Sequence, residues 1–143
     1  MNHNKYFRKF GWLLLAFLIS GCGEKKPVDD IVLIKQFLTK FERGINLQSQ
    51  AVIDSLLLDK KKNISSELLD SISPGGKYTG FKIISKSFIM FKDSAEVRLG
   101  LRSDSIAVGQ EVKEIEKRIR LFLCKKRGVW RVQGFSMEQD SKE

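Results

Sequence analysis

"SISPGGKYTGFKIISKSFIMF", residues 71–91, is where this chain changes its period. Before Pro74, apolar residues recur at three- and four-residue steps; after Gly76 they recur at every second position. Proline followed by paired glycines punctuates strongly, because proline lacks the amide hydrogen and glycine adopts backbone conformations closed to other residues. "SPGG" (73–76) therefore ends a helical half and opens a sheet half. In the strand that follows, Phe81, Ile83, Ser85, Ser87, Ile89 and Phe91 alternate with Lys82, Ile84, Lys86, Phe88 and Met90. Ser85 and Ser87 have two readings. They line a hollow beneath the helices, or they mark a bulge, which reverses the parity downstream and carries Phe88 and Met90 inward. With unbroken parity, Ile84, Phe88, Met90, Phe122 and Cys124 all point away from the helices. Apolar residues gathered on an outer face make a partner or homodimer surface.

Upstream, Asp29 and Asp30 sit where a helix start favours negative charge. Ile31, Ile34, Leu38, Phe41 and Ile45 form one apolar stripe, and Gly44-Ile45-Asn46 breaks it. A second helix is expected over Gln48 to Leu58, with Ala51, Val52 and Leu56 inward and Ile53 as a further candidate, and "DKKKN" (59–63) makes a charged turn. Ser65 or Ser66 caps a third helix carrying Leu68, Leu69 and Ile72. Downstream, Ala95, Val97, Leu99 and Leu101 alternate with charged residues, as do Ile115, Ile119, Leu121 and Leu123. "SDSIAVGQ" (103–110) is expected to connect the middle strands, and Gly128 turns "CKKRG" into the last strand, "GVWRVQGF" (128–135). Helices first and then long antiparallel strands is an α+β order, with N-terminal helices packed on a sheet of about four strands.

The first nine residues carry Lys5, Arg8 and Lys9 and no acid, and an apolar run follows from Phe10 to Ile19. A bilayer-spanning helix needs about 20 such residues, so this shorter run reads as the hydrophobic part of a secretory signal. Ile19-Ser20-Gly21-Cys22 resembles the lipobox of bacterial lipoproteins. That resemblance implies removal of residues 1–21, acylation of Cys22 (diacylglycerol on the thiol, a further chain such as palmitate on the amine) and a short lipidated tether over 22–27. Residues 28–138 then form the domain, and 139–143 a polar tail. Gly23 follows the cysteine, where enterobacterial lipoproteins kept in the inner membrane often carry Asp. The resemblance therefore points to the periplasm and outer membrane of a Gram-negative cell.

The formal charge of +9 includes three cations of the signal. An exported protein rarely meets nucleic acid, so the basic balance points to anionic lipid headgroups or an acidic protein, and no nucleic-acid partner is expected. His3 is the single histidine and lies in the signal, so Ser-His-Asp, Cys-His and histidine-based metal sites are excluded from the mature chain. With Cys22 acylated, Cys124 has no partner for an internal disulfide. No phosphate-cradling glycine loop or paired-cysteine metal motif occurs, and no metal or cofactor is expected.

"FLTKFERGINLQSQAVIDSLLL" (37–58) and "KKRGVWRVQGF" (125–135) resemble the NTF2-like superfamily, also called cystatin-like or SnoaL-like. The first matches its helix-turn-helix and the second its closing hairpin. The resemblance implies one long and two short helices in the hollow of a strongly bent antiparallel sheet, and dimers through the outer sheet face are frequent in such domains. Relatives include isomerases, dehydratases and non-enzymatic binding modules, so the fold does not settle function. Steroid-isomerase relatives use carboxylates lining the cone, helped by tyrosine. Here Glu96, Glu114 and Glu116 fall on the charged parity, and Tyr78 is the one tyrosine after the signal. Lys117 shares the apolar parity of Ile115 and Ile119: it grips an anionic ligand at a pocket mouth, or a strand end turns it to water. Tyr78, Ser85, Lys117 and Trp130 are the candidate ligand residues, Trp130 being also a natural core filler. The leading expectation is a membrane-anchored, extracytoplasmic, non-catalytic binding or adaptor module. The rivals are a SnoaL-like isomerase or dehydratase, and a module that docks electrostatically on anionic lipid or surface polymer.

Overall fold

The computed structural model describes residues 29–60, 63–106 and 114–139. The signal, Cys22 and the tether lie outside them. Three α-helices, α1 (Asp30–Asn46), α2 (Gln50–Leu56) and α3 (Ile64–Ile72), precede a turn of 3₁₀ helix at Pro74–Gly76. Four strands follow, β1 (Tyr78–Phe91), β2 (Ser94–Ile106), β3 (Ile115–Lys126) and β4 (Val129–Glu138). They form an antiparallel meander in the order β1-β2-β3-β4.

α1 starts as the sequence leads one to expect. The Asp29 carboxylate accepts the Ile31 amide at 3.1 Å, and Asp30 sits in the first turn, where the helix dipole favours it. Of its expected stripe Ile34, Leu38, Phe41 and Ile45 are buried and Ile31 is exposed, while Phe37 joins the buried face. Gly44 does not break the helix; it lets α2 approach. A Cβ there would meet Ile53 Cδ1 at 2.6 Å and Val52 Cγ1 at 3.1 Å. The break comes at Gln48, whose φ is 49°. α2 is shorter than expected and buries Ile53 and Leu56, while Ala51 is exposed and Val52 half-buried. α3 starts one residue before the expected serine cap, and its Ser65 is buried. Leu68, Leu69 and Ile72 pack inward as the spacing predicts.

The bulge reading of β1 is the one the register bears out. Ile83 pairs with Leu101 but Ser85 pairs with Gly100, so Ile84 is one residue too many. From there Lys86, Phe88 and Met90 stand opposite Leu99, Val97 and Ala95, whose side chains are buried. Phe88 and Met90 therefore turn toward the core, half-buried against it, and leave the outer face where unbroken parity would put them. Ile89 and Phe91 take their place outside. A second register shift on β4, between Phe122↔Gly134 and Leu123↔Val132, makes Gln133 the extra residue. β2 runs through Ser103 to Ile106, so the start of the expected connection is strand.

Both sheet edges are partly closed by helical segments. Asn46 grips the backbone of Phe81 twice: its Nδ2 donates to the carbonyl at 2.8 Å and its Oδ1 accepts the amide at 2.7 Å. One turn earlier on α1, Glu42 accepts the Ile83 amide at 3.0 Å. On β4, the Leu58 amide donates to the Val132 carbonyl at 2.8 Å. These contacts satisfy backbone groups that an open edge would offer to another chain.

Candidate functional site

Among the described residues, the hollow between helices and sheet is packed with apolar side chains. Phe37, Phe41, Phe81, Leu101, Ile119, Leu121 and Trp130 are all buried in one continuous cluster. Three acids of the strands lie elsewhere: Glu96 pairs with Phe122, Glu116 with Arg102 and Glu138 with Arg118, all on the outer parity. Among the described residues no group of three or more His, Cys, Asp or Glu could hold a metal ion, and no helix is long and apolar enough to cross a membrane.

The outer face has two zones. Toward the bulge it holds a charged lattice. Arg98 Nε lies 2.9 Å from Glu96 and 3.9 Å from Glu138, and Arg120 lies 3.3 Å from Glu96 and 3.0 Å from Glu138. Two carboxylates thus bridge two guanidinium groups across β2, β3 and β4. The Arg120 Nε sits close to Glu96 but off the hydrogen-bonding direction, and is buried without a hydrogen-bond partner. Exposed ion pairs contribute about 0–1 kcal/mol each, so the lattice acts mainly on surface charge. Beside it, Ser85, Lys86, Arg98, Arg118 and Glu138 line a cleft of about 250 Å³. Gly100 forms its floor, because a Cβ there would collide with the Ser85 hydroxyl.

The second zone is apolar. Ile89 and Phe122 stand on the same row across Glu96, 45% and 38% exposed, and Phe91 is 64% exposed one row on. Phe122 faces Gly134, beside which nothing lies within 4 Å of where a Cβ would be. Ile84, exposed in the bulge, and half-buried Cys124 belong to this face as expected. Parity reasoning missed Ile89 and Phe91, which the bulge brings out.

The candidate ligand residues do not converge. Ser85 is on the outer face at the charged cleft. Lys117 keeps the inner parity, opposite Leu101, and is half-buried. Tyr78 opens β1, its backbone clasped by the buried Ser73 hydroxyl, which donates to the Tyr78 carbonyl at 2.8 Å and accepts its amide at 2.9 Å. Trp130 lies eight residue pairs from Lys117 along the sheet, about 27 Å at strand rise. It is 4% exposed, and its indole N–H donates to Asp30 at 3.2 Å. Its role is core packing and fastening. Lys125 completes that fastening, with Nζ 2.7 Å from Asp30 and 5.9 Å from the Trp130 ring centroid. The Lys125 hydrogen bond, with help from Trp130, holds the Asp30 carboxyl below its ordinary value of 3.8 despite some desolvation. A shallow cleft of about 590 Å³ also opens between α2, α3 and the Pro74–Gly76 turn, lined by Gln48, Gln50, Asn63, Ser66, Glu67 and Asp70.

No protein-family model matches the chain, and no curated protein matches it. Solved structures do. An NTF2-like protein from Cytophaga hutchinsonii superposes with a TM-score of 0.57 at 14% identity, covering 77% of this chain and 98% of that one. A protein of unknown function from Mycobacterium tuberculosis gives 0.61 at 17% identity, over 82% and 78% of the two chains. A putative Ca/calmodulin-dependent kinase II association domain from Exiguobacterium sibiricum gives 0.57 at 11%, over 78% and 94%. Helices laid on a curved four-strand meander, closed by a Trp-bearing hairpin, are the NTF2-like, or cystatin-like, fold.

Proposed function

We propose that this protein is a lipid-anchored, extracytoplasmic binding module without catalysis of its own. In this reading Cys22 holds it to the membrane, in the outer membrane of a Gram-negative cell, and the outer face of its sheet takes a protein partner. A second copy of the chain is the first candidate. The observation that carries this reading is the contrast between the two sheet faces. The concave face is packed with apolar side chains, while Ile84, Ile89 and Phe122 stand exposed on the other face beside a self-complementary Arg–Glu lattice. A two-fold contact needs a patch that can meet itself, and alternating charges around an apolar centre provide one. The Exiguobacterium neighbour is described as a putative Ca/calmodulin-dependent kinase II association domain, which accords with this reading.

Two measurements test it. Intact mass of native protein is expected to show a chain starting at Cys22 and carrying acyl chains; an unmodified chain starting at Met1 refutes the anchor. Sedimentation of the domain without its acyl chains is expected to show a concentration-dependent dimer, lost in Phe122→Arg. A strict monomer at high concentration refutes the homodimer and leaves a different protein as the partner.

A further inference from the structure

One end of the sheet gathers cations. The β1–β2 turn (Lys92–Asp93) and the β3–β4 turn (Arg127–Gly128) lie side by side there, joined by the Lys125 amide donating to the Asp93 carbonyl at 2.7 Å. Lys92 and Arg127 occupy left-handed conformations, with φ of 42° and 52°, and both are exposed. Lys126, Arg127 and Arg131 meet around a cleft of about 450 Å³ with Leu58 and Val129. Arg131 also donates to the Ser55 carbonyl. Lys92, Lys126 and Arg127 make no ion pair with any described residue. Two apolar side chains stand among them, Phe91 and Val129, the latter 48% exposed. Acids near this end include Asp30, taken up by Lys125, Asp29, which caps α1, Asp93, and Asp54 and Asp59, which adjoin Ser55 and the cleft-lining Leu58.

The domain's N-terminus emerges at this same end, because Asp30 is fastened to Lys125 and Trp130. Six residues, 23–28, separate Cys22 from Asp29. Even fully extended, that length reaches no more than about 25 Å. β1 alone has 14 residues, about 46 Å of strand, so an anchor at Cys22 reaches the two turns far more readily than the opposite end.

We infer that the paired turns, with Lys92, Lys126, Arg127 and Arg131 around Phe91 and Val129, form a membrane-facing pad for anionic phospholipid headgroups. This rests on the acylation of Cys22. The anchor supplies attachment, and the pad fixes orientation: cations meet headgroup phosphates while Phe91 and Val129 enter the interface. The outer sheet face then stands roughly upright from the membrane, with Ile89 and Phe122 two rows in from the Phe91–Ser94 pair at the β1–β2 turn and open to a partner.

The test uses the full acylated protein in nanodiscs of phosphatidylcholine, or of phosphatidylcholine enriched in phosphatidylglycerol, read by amide hydrogen exchange. The turn amides at 91–94 and 126–129 are expected to exchange more slowly with phosphatidylglycerol present, and residues 63–76 to stay unchanged as a reference for folding. Each cation removed is expected to weaken the apposed state about fivefold, so Lys92→Asn, Lys126→Gln and Arg127→Asn together lower it on the order of a hundredfold. Asparagine tolerates the left-handed turn positions, which keeps the hairpins intact. Acylated, incorporated protein whose turns exchange alike in both lipids overturns the pad and leaves the anchor standing. Protection that survives the triple change also overturns it. A chain that carries no acyl mass and fails to incorporate overturns anchor and pad together.

Discussion

Asn46→Ala removes the clamp on the β1 edge. The wild-type amide group makes two hydrogen bonds to Phe81, at 2.7 and 2.8 Å, and both partners are backbone groups beside a fully buried side chain. A buried backbone group left without a partner costs about 1–3 kcal/mol. These sites are part-buried, so the low end of that range applies, about 1–1.5 kcal/mol each. Alanine returns about 0.5 kcal/mol through its better helix propensity at the last position of α1. The net expectation is a loss of about 2 kcal/mol, or about 8 °C in Tm for a domain of this size. Urea unfolding of the domain, followed by Trp130 fluorescence, measures it. Asn46→Asp sharpens the test, because it keeps the acceptor for the Phe81 amide but sets a second oxygen against the Phe81 carbonyl; it is expected to cost at least as much as alanine. A loss under about 0.5 kcal/mol for either change would refute the claim that α1 holds the sheet edge through this residue.

Asp30 carries a pH signature. Its folded pKa is below its unfolded value of 3.8, so its contribution is present above 3.8 and is lost as pH falls through the folded value. Asp30→Asn is expected to flatten the acid limb of the stability curve, which urea titrations across that range would reveal. Deleting Ile84 removes the extra residue and leaves a regular ladder in which Phe88 and Met90 still stand opposite Val97 and Ala95, so cooperative unfolding and near-UV circular dichroism are expected to survive the deletion; their loss would refute the assignment of Ile84 as the bulged residue. Ser73→Ala strips both partners from the Tyr78 backbone and is expected to cost about 1–3 kcal/mol in the same urea assay. Thr39→Ala, which removes one exposed bond to the Lys35 carbonyl, is expected to change stability by less than about 0.5 kcal/mol.

The order of elements was legible because the period switch at Pro74 is a direct print of geometry: Leu68, Leu69 and Ile72 share a helix face, and Val97, Leu99 and Leu101 a sheet face. The bulge was legible only as one of two alternatives. "SFIMF" (87–91) is apolar on both parities, so alternation there does not say which set is buried. Gly44 misled for a related reason: a glycine that ends a helix and one that admits a neighbouring helix look the same in sequence. The fastening of Asp30 to Lys125 and Trp130 spans a hundred residues, and no local pattern carries it. The turn cations were visible as composition, but their grouping at one end follows from strand register. Unbroken parity places Phe122 and Phe88 on the same outer face; Phe122 stands there, while the register of β1 against β2 turns Phe88 inward.

The meander has a consequence for how the chain acquires its shape. Each strand pairs with its neighbour in sequence, so hairpins close over short loops and can form as soon as they are made. α1 is synthesised first, yet its apolar stripe waits for β1, 35 to 41 residues on, and its first turn waits for β4. A nascent chain stopped before residue 130 therefore has its sheet begun and its first helix still unmoored at one end. Completion of the last hairpin is the event that locks the beginning of the domain in place.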